Sequence, residues 1–233
     1  VPRRKDFSLD LPAIHQAVTA QQPKLLFLAT PNNPDGSLPA TAEIDALLDL
    51  PLVVVLDEAY IEFSGEGALG GKASRLAEVV RRENLVVLRT FSKLAGLAGL
   101  RVGYGGFPAW LMPVLWKAKQ PYNVNVAASQ AALAALQDVD YLADSMQRLR
   151  QERERLYERL GSFDWLQPYP SRANFVLARV TGRSALELKT RLAQEFGILV
   201  RYFDSPGLED HIRVSAGRPQ DTEALWDALR RME

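Results

Sequence analysis

The feature that most constrains the fold is an alternation of short β-branched runs with segments of helical period in the first two thirds of the chain. Such alternation is typical of an α/β sheet. It predicts strands over 24–29, 52–56 and 85–90, with helices over 39–50 and 76–82 between them. Helical connections of this kind join parallel strands. We therefore expect an α/β fold, a mostly parallel sheet with helices on both faces.

The next strand candidate, over 101–105, differs from the first three in its connection. The preceding stretch, 91–100, contains Gly96 and Gly99 and is too short for the usual helical crossover. We therefore expect this strand to run antiparallel to its neighbour.

Three further helices are predicted over 108–119, 126–136 and 139–160. The long third helix has four large apolar residues on one side: Leu142, Met146, Leu149 and Leu156. Its charged residues are of both signs: Arg148, Arg150, Glu152, Arg153, Glu154, Arg155, Glu158 and Arg159. Mixed signs predict a solvated face rather than an RNA-binding stripe.

After Gly161 the pattern changes to that of a compact α+β domain. Its predicted strands and helices are 174–180, 184–196, 198–202, 211–215 and 221–231. The predicted organisation is a first domain over 1–137, a connecting helix over 138–160 and a small domain over 161–233.

Composition excludes several functions. The chain has 28 Lys plus Arg and 28 Asp plus Glu, so no net charge attracts nucleic acid or an anionic membrane. It has no cysteine, and only His15 and His211 could act as imidazole ligands, so no metal site is expected. No apolar run approaches the roughly 18 residues of a membrane span, and the first residues lack the apolar core of a signal peptide. A reduced, cytoplasmic compartment fits best.

Chemically active side chains follow the first two predicted strands. Asn33 lies between two prolines after the first strand, and Asp57 directly follows the second, with Tyr60 three residues later. In open α/β sheets ligands bind outside the carboxyl ends of the strands. Taken singly, these residues are also explained by a turn, a helix cap and a packed tyrosine.

Lys93 follows the third strand among the apolar residues Phe91, Leu94, Leu97 and Leu100. Such a lysine either extends to solvent or stays buried with a depressed pKa, and the buried form is a Schiff-base amine. The hydroxyls of Thr90 and Ser92, with Arg101, suit a phosphate. Because all these groups follow strand ends, we expect one site built around a buried primary amine.

The residues that carry these groups resemble those of fold type I pyridoxal-phosphate-dependent aminotransferases. Within them the chain is most similar to the branch that acts on histidinol phosphate, mainly through Asp-Glu-Ala-Tyr-Ile-Glu-Phe at 57–63. The segments that carry the resemblance are 31–36, 56–63, 88–93, 97–104, 173–177 and 211–215.

The resemblance implies a role for each cofactor residue. Lys93 attaches covalently to pyridoxal 5'-phosphate and later moves a proton, and Asp57 pairs with the protonated pyridine nitrogen. Asn33 and Tyr60 hydrogen-bond the 3′-oxygen. The residues implied to hold the phosphate are Thr90, Ser92 and Arg101.

The substrate residues implied by the resemblance are two arginines of the small domain. Arg213 binds the substrate's carboxylate or another anionic group, and Arg201 reads the phosphate end or the distal carboxylate. For Arg201 an ordinary surface position at a strand end is equally compatible with the sequence.

The implied reaction is reversible amino transfer between L-histidinol phosphate and 2-oxoglutarate, in histidine biosynthesis, by a homodimer. A threonine-phosphate-type decarboxylase, a broader-range aminotransferase and an inactive truncated fragment stay open. A dinucleotide-dependent oxidoreductase is disfavoured because 103–108 fails the G-x-G-x-x-G pattern. The chain opens on Val rather than Met and lacks the family's upstream phosphate-binding segment, so we expect the family's N-terminal part to be missing.

Overall fold

The computed structural model describes residues 1–65 and 67–233. Contacts divide the chain into two compact units. The first unit comprises Val1–Asn32 and Leu38–Asp144, and the second comprises Asn33–Ser37 and Ser145–Glu233. The domain bounds derived from the sequence stay predictions.

The first unit is built on a sheet whose strands follow one another in the order β1-β2-β3-β4. They are β1 Leu25–Ala29, β2 Val53–Asp57, β3 Leu85–Thr90 and β4 Gly103–Gly106. The first three are parallel and β4 is antiparallel to β3, which confirms the predicted α/β class and the predicted direction of the fourth strand. Buried side chains at consecutive positions such as Val54, Val55 and Leu56 are those of a strand covered on both faces.

The helices of the first unit include the predicted crossover between β1 and β2. Their bounds are α1 Leu11–Gln21, α2 Thr41–Leu48, α3 Met112–Ala118 and α4 Val126–Gln137. Helix α2 buries Ile44, Leu47 and Leu48 against the sheet core. Helix α1 was not predicted; its apolar side, Leu11, Ile14 and Val18, packs against the sheet core, but only Val18 of it is fully buried. Its capping residue, Asp10, accepts a hydrogen bond from the Ala13 amide and was the available signal.

The helix predicted over 76–82 is wrong, because only a 3₁₀ turn forms there, over Leu76–Glu78. Val80 is 88% exposed, so the segment has too little apolar surface to offset the cost of starting a helix. The other 3₁₀ turns of this unit are Ile61–Ser64, Ala68–Gly70 and Ala98–Leu100.

The second unit is an antiparallel sheet in the order β5-β6-β8-β7, with helices packed against it. Its elements are β5 Leu166–Pro168, β6 Phe175–Val180, α6 Ala185–Phe196, β7 Arg201–Tyr202, β8 His211–Ser215 and α7 Pro219–Arg230. The short β5 was not predicted, and β7 is shorter than the predicted 198–202. Alternate strand residues such as Val176, Ala178 and Ile212 pack with Leu192 and Leu225 of the helices.

Helix α5, Val139–Leu160, has the predicted bounds, but its charged face is not wholly solvated. Glu152 and Arg153 are buried. Arg153 donates to the carbonyl of Ala173 at 3.1 Å, a partner distant in sequence that the charge pattern could not indicate. Burial lowers the pKa of Arg153, and its pairing with Glu154 opposes that shift. Among the described residues no helix, α5 included, is both long and apolar enough to cross a membrane.

Candidate active site

The carboxyl-end edge of the first sheet carries Asp57, the last residue of β2. Asp57 is exposed, and its register partner on the neighbouring strand β3 is Leu88. Its Oδ1 accepts a hydrogen bond from the Ala59 amide at 3.0 Å, which turns the chain sharply after the strand. The carboxylate is therefore held at the strand end and remains open to solvent.

An amine and a phenol meet at the same edge. Lys93 lies in the loop after β3, and its Nζ is 5.0 Å from the ring centre of Tyr60. Tyr60 is half-buried and precedes the 3₁₀ turn Ile61–Ser64 that follows β2. The ends of two neighbouring parallel strands thus bring together side chains 33 positions apart in the sequence.

The expectation that Lys93 is a buried amine is wrong for this chain, because its side chain is exposed. Its apolar neighbours pack away from it instead. Phe91, Leu97 and Leu100 belong to a separate cluster with Val102, Ala128 and Ala132. The apolar residues around Lys93 therefore stabilise the loop that carries it without enclosing the amine.

The three predicted phosphate residues lie in or beside this loop. Thr90 Oγ1 accepts from the Ser92 amide at 3.1 Å, and both residues are half-buried. Arg101 closes the loop in a left-handed conformation, with φ of 53°, and is exposed. Its Nη1 donates to the carbonyl of Ala98 at 2.9 Å, which leaves the other guanidinium donors of Arg101 available to a ligand.

A largely buried ionic cluster that was not predicted from the sequence lies directly behind this edge and is formed by Glu58, Glu62 and Arg89. Arg89 Nη2 donates to Glu62 Oε1 at 2.8 Å, and Arg89 Nε lies 4.0 Å from Glu58 Oε2. Glu58 also accepts from the Ser74 hydroxyl at 2.6 Å and from the Arg75 amide at 2.8 Å. The available signal was an arginine and two glutamates, each within two residues of a predicted site residue.

Burial controls the protonation of this cluster. It raises the pKa of Glu58 and of Glu62, because a charged carboxylate loses solvation inside the protein. The positive charge of Arg89 opposes that shift at both residues.

In the second unit the structure brings Asn33 together with Arg213. Arg213 Nη1 donates a hydrogen bond to Asn33 Oδ1. The short segment 33–37 is anchored within this unit at Gly36, whose carbonyl accepts from the Arg172 amide at 2.7 Å. Gly36 has φ of +77°, and a Cβ there would lie 2.1 Å from Ser171 Oγ, so only glycine fits.

Arg201 and Arg213 are register partners on β7 and β8. Both line a cavity of about 390 Å³ within the second unit. Arg213 Cζ lies 4.8 Å from the ring centre of Phe175, and Arg201 Cζ lies 5.5 Å from that of Phe203. Arg201 is exposed. Two guanidinium groups on neighbouring strands concentrate positive charge and favour anionic ligands.

Known proteins are similar to this chain in sequence and in fold. The histidinol-phosphate aminotransferase of Nicotiana tabacum, a chloroplastic protein by its name, is 51% identical over 231 residues, which is 99% of this chain. The crystal structure of the histidinol-phosphate aminotransferase from Clostridium acetobutylicum matches 98% of the chain with a TM-score of 0.90 and 25% identity, over 69% of its own chain. That of the Sinorhizobium meliloti enzyme, solved in complex with pyridoxal-5'-phosphate, matches all of it with a TM-score of 0.86 and 30% identity, over 64% of its own chain.

The solved structures establish the architecture of the chain. The chain has the α/β architecture of the fold type I transferases, with a mixed, mostly parallel sheet. The sequence pattern of the family "Aminotransferase class I and II" matches residues 1–229. The chain belongs to that family. It spans about half of the Nicotiana relative, 54% of its length.

Proposed function

We propose that the whole protein is a pyridoxal-phosphate-dependent aminotransferase acting between L-histidinol phosphate and 2-oxoglutarate, and that this chain carries its cofactor-attaching lysine. The observation that carries the proposal is the Lys93 amine, 5.0 Å from the Tyr60 ring at the sheet edge where Asp57 ends β2. Similarity to relatives named for this activity supports it.

The donor set of the first unit fits the chemistry of pyridoxal phosphate. The cofactor presents a ring nitrogen, a phenolic oxygen, an aldehyde and a phosphate. An exposed carboxylate, a phenol, an exposed amine, two hydroxyls and a guanidinium supply a complementary partner for each. When bound, the cofactor supplies an electron sink for the carbanion formed at the substrate's α-carbon.

Each residue then has a defined task. Asp57 would accept a hydrogen bond from the protonated ring nitrogen and keep that nitrogen charged. Lys93 Nζ would attach covalently to the aldehyde carbon of the cofactor. Once the substrate has displaced it, the free amine would take the proton from the substrate's α-carbon and return it to that cofactor carbon. Tyr60 and Asn33 would donate to the ring oxygen. The residues that would hold the phosphate are Thr90, Ser92 and Arg101.

Arg213 and Arg201 would bind the anionic ends of the substrates. A guanidinium group presents parallel donors that suit carboxylate and phosphate equally, because both anions offer two oxygens at a similar spacing. The same pair could therefore accept a phosphorylated amino alcohol in one half-reaction and glutamate in the other.

The test is to identify the lysine that takes up the cofactor. The chain is incubated with excess pyridoxal phosphate, reduced with borohydride, digested and analysed by mass spectrometry. We expect the label on Lys93 and its loss in Lys93→Ala. The matched control is Lys119→Ala, because Lys119 Nζ also lies 5.0 Å from an aromatic ring, that of Trp116, but Lys119 follows helix α3 rather than a strand. Equal labelling of Lys93 and Lys119 would contradict the proposal.

Turnover by the whole protein separates the alternatives. Stoichiometric formation of glutamate marks the aminotransferase, whereas release of carbon dioxide marks a decarboxylase of the threonine-phosphate type. Lys93→Ala is expected to lower turnover by about a thousandfold or more, as loss of a covalent catalyst does. Full turnover in that variant would refute the role of Lys93.

We also propose that the protein is a homodimer and acts in the cytoplasm. Exposed apolar side chains on α3 and α4, Val114, Trp116, Val126 and Leu133 among them, offer an apolar surface to a second copy. Absence of cysteine is consistent with a reduced compartment. Analytical ultracentrifugation tests the dimer, and a monomer at micromolar concentration would contradict it.

A further inference from the structure

The carboxyl end of β2 presents two neighbouring carboxylates that differ in exposure. Asp57 is exposed whereas Glu58, the next residue, is 1% exposed. The backbone continues the sheet here, because the Glu58 amide donates to the Leu88 carbonyl of β3 at 2.9 Å. The Glu58 carbonyl accepts from the Ile61 amide at 3.1 Å, which encloses Tyr60 in a tight turn. Glu58 therefore connects the turn that carries Tyr60 to β3 through its amide and closes that turn through its carbonyl.

Arg89 connects this turn to the strand that leads to Lys93. It lies on β3 one residue before Thr90, and its guanidinium reaches Glu62 Oε1 at 2.8 Å, two residues beyond Tyr60. The backbone of β4 packs closely against the same residue: a Cβ on Gly103 would lie 2.6 Å from the Arg89 carbonyl. Arg89 is thus fixed on its own strand and binds the neighbouring segment.

The two glutamates of this cluster depend on the positive charge of Arg89. Within the described residues, Glu62 Oε2 and Arg89 Nε are buried and lack a hydrogen-bond partner. Of the cations in the described part of the chain, Arg89 alone is paired with both Glu58 and Glu62. Without it, the buried carboxylate of Glu58 and the largely buried carboxylate of Glu62 lose their shared positive charge, and one of them must take up a proton or move.

We propose that Arg89, by binding Glu62 and facing Glu58, positions the Tyr60 phenol relative to the Lys93 amine. Arg89 is a positioning residue: it acts through the two segments that carry the amine and the phenol. Its consequence for the cofactor rests on the proposed function, whereas its effect on the two segments does not.

The first test needs no cofactor. Amide hydrogen exchange is followed by mass spectrometry in peptides covering 58–64 and 90–97. In Arg89→Met we expect exchange over 58–64 to be about tenfold faster or more, the effect of losing a charge-assisted hydrogen bond. Arg89→Lys, which keeps the charge, is expected to restore much of the protection. If Arg89→Met does not fold, the same exchange measurement is made on Glu62→Gln, which keeps Arg89 but removes the charge of its partner.

The matched control is Arg75→Met. The Arg75 side chain is 11% exposed against 12% for Arg89, and it is also ion-paired, with Asp45 and Glu78. Among the described residues its side-chain partners are Thr41, Asp45 and Glu78, and its backbone amide, which donates to Glu58, is kept in Arg75→Met. Exchange over 58–64 that rises equally in both variants means general loosening and overturns the proposal.

The second test uses the chain loaded with pyridoxal phosphate. The pH midpoint of the visible absorbance change reports the surroundings of the attached amine. We expect Arg89→Met to shift it by about half a unit or more, and Arg75→Met to leave it in place. An unshifted midpoint in Arg89→Met, with Lys93 labelled, overturns the positioning role. Failure of the wild-type chain to label Lys93 instead overturns the proposed function, and the exchange comparison then still decides whether Arg89 positions the turn.

Discussion

Two groups of charged residues alternate along the same two segments of the first unit, and their surroundings differ sharply. Asp57 and Lys93 are exposed at the sheet edge, whereas Glu58 is buried behind it and the side chains of Glu62 and Arg89 are each only 12% exposed. Exposed charges keep their solvation and stay available to a ligand. Buried charges must be paired, so they hold the backbone in one arrangement. Neighbouring residues of one chain segment therefore differ in role: the exposed ones are available to a ligand, and the buried ones hold the backbone in position.

The largest expected effect is on stability, in Arg89→Met. Breaking a buried ion pair leaves uncompensated charge, so the free energy of unfolding is expected to fall by about 3–5 kcal/mol in urea titrations. The contrast is Arg179→Met, which breaks an ion pair with Asp210 whose side chains are 50% and 40% exposed. That change is expected to cost far less, because solvent screens the exposed pair. Equal losses in the two variants would remove the distinction between buried and exposed charge.

A smaller effect concerns pH. Burial raises the pKa of Glu58 above its ordinary value of 4.5, so between that value and the raised one the native state binds more protons than the unfolded chain. The free energy of unfolding therefore falls as pH rises through this interval. Glu58→Gln is expected to flatten that fall in urea titrations repeated between about pH 4 and 7.

The control for this pH effect has the opposite sign. Pairing with Arg191 lowers the pKa of Glu195, so the stability from that pair is present above the ordinary glutamate value and is lost as pH falls. Glu195→Gln should leave the decrease in the free energy of unfolding above pH 4.5 unchanged. A flattening by Glu195→Gln, or none by Glu58→Gln, would show that burial of Glu58 does not set the slope.

The smallest stability change is expected in Asp57→Asn. The side chain is exposed, and an asparagine Oδ1 can still accept from the Ala59 amide, so the free energy of unfolding should change by less than about 0.5 kcal/mol. Retention of pyridoxal phosphate should nevertheless weaken by about tenfold or more, because a charged partner of the ring nitrogen is lost. Dialysis followed by absorbance measures it. Large destabilisation with unchanged retention would reverse the assignment of the two regions.

Strongly patterned elements were predictable from the sequence. Helix α5 and strand β8 have the predicted bounds, because each has a clear apolar period or a buried apolar run. The antiparallel direction of β4 followed from the short, glycine-containing connection before it. The 3₁₀ turn at Leu76–Glu78 was not predictable, since two or three apolar residues fit a helix or a turn equally well.

The residue types of the candidate site, and their order along the strand ends, were determined by the sequence alone. A strand ends where the apolar run ends, and parallel strands bring their carboxyl ends to one edge. Only the tertiary structure decided which charges are exposed and which are buried. Lys93 and Arg89 are both cations beside apolar residues, but their exposure depends on partners that are distant in sequence. Arg89 is paired with Glu62. The apolar neighbours of Lys93 pack with Ala128 and Ala132 and leave the amine exposed. Local patterns contain no information about such partners, because chain folding alone brings them together.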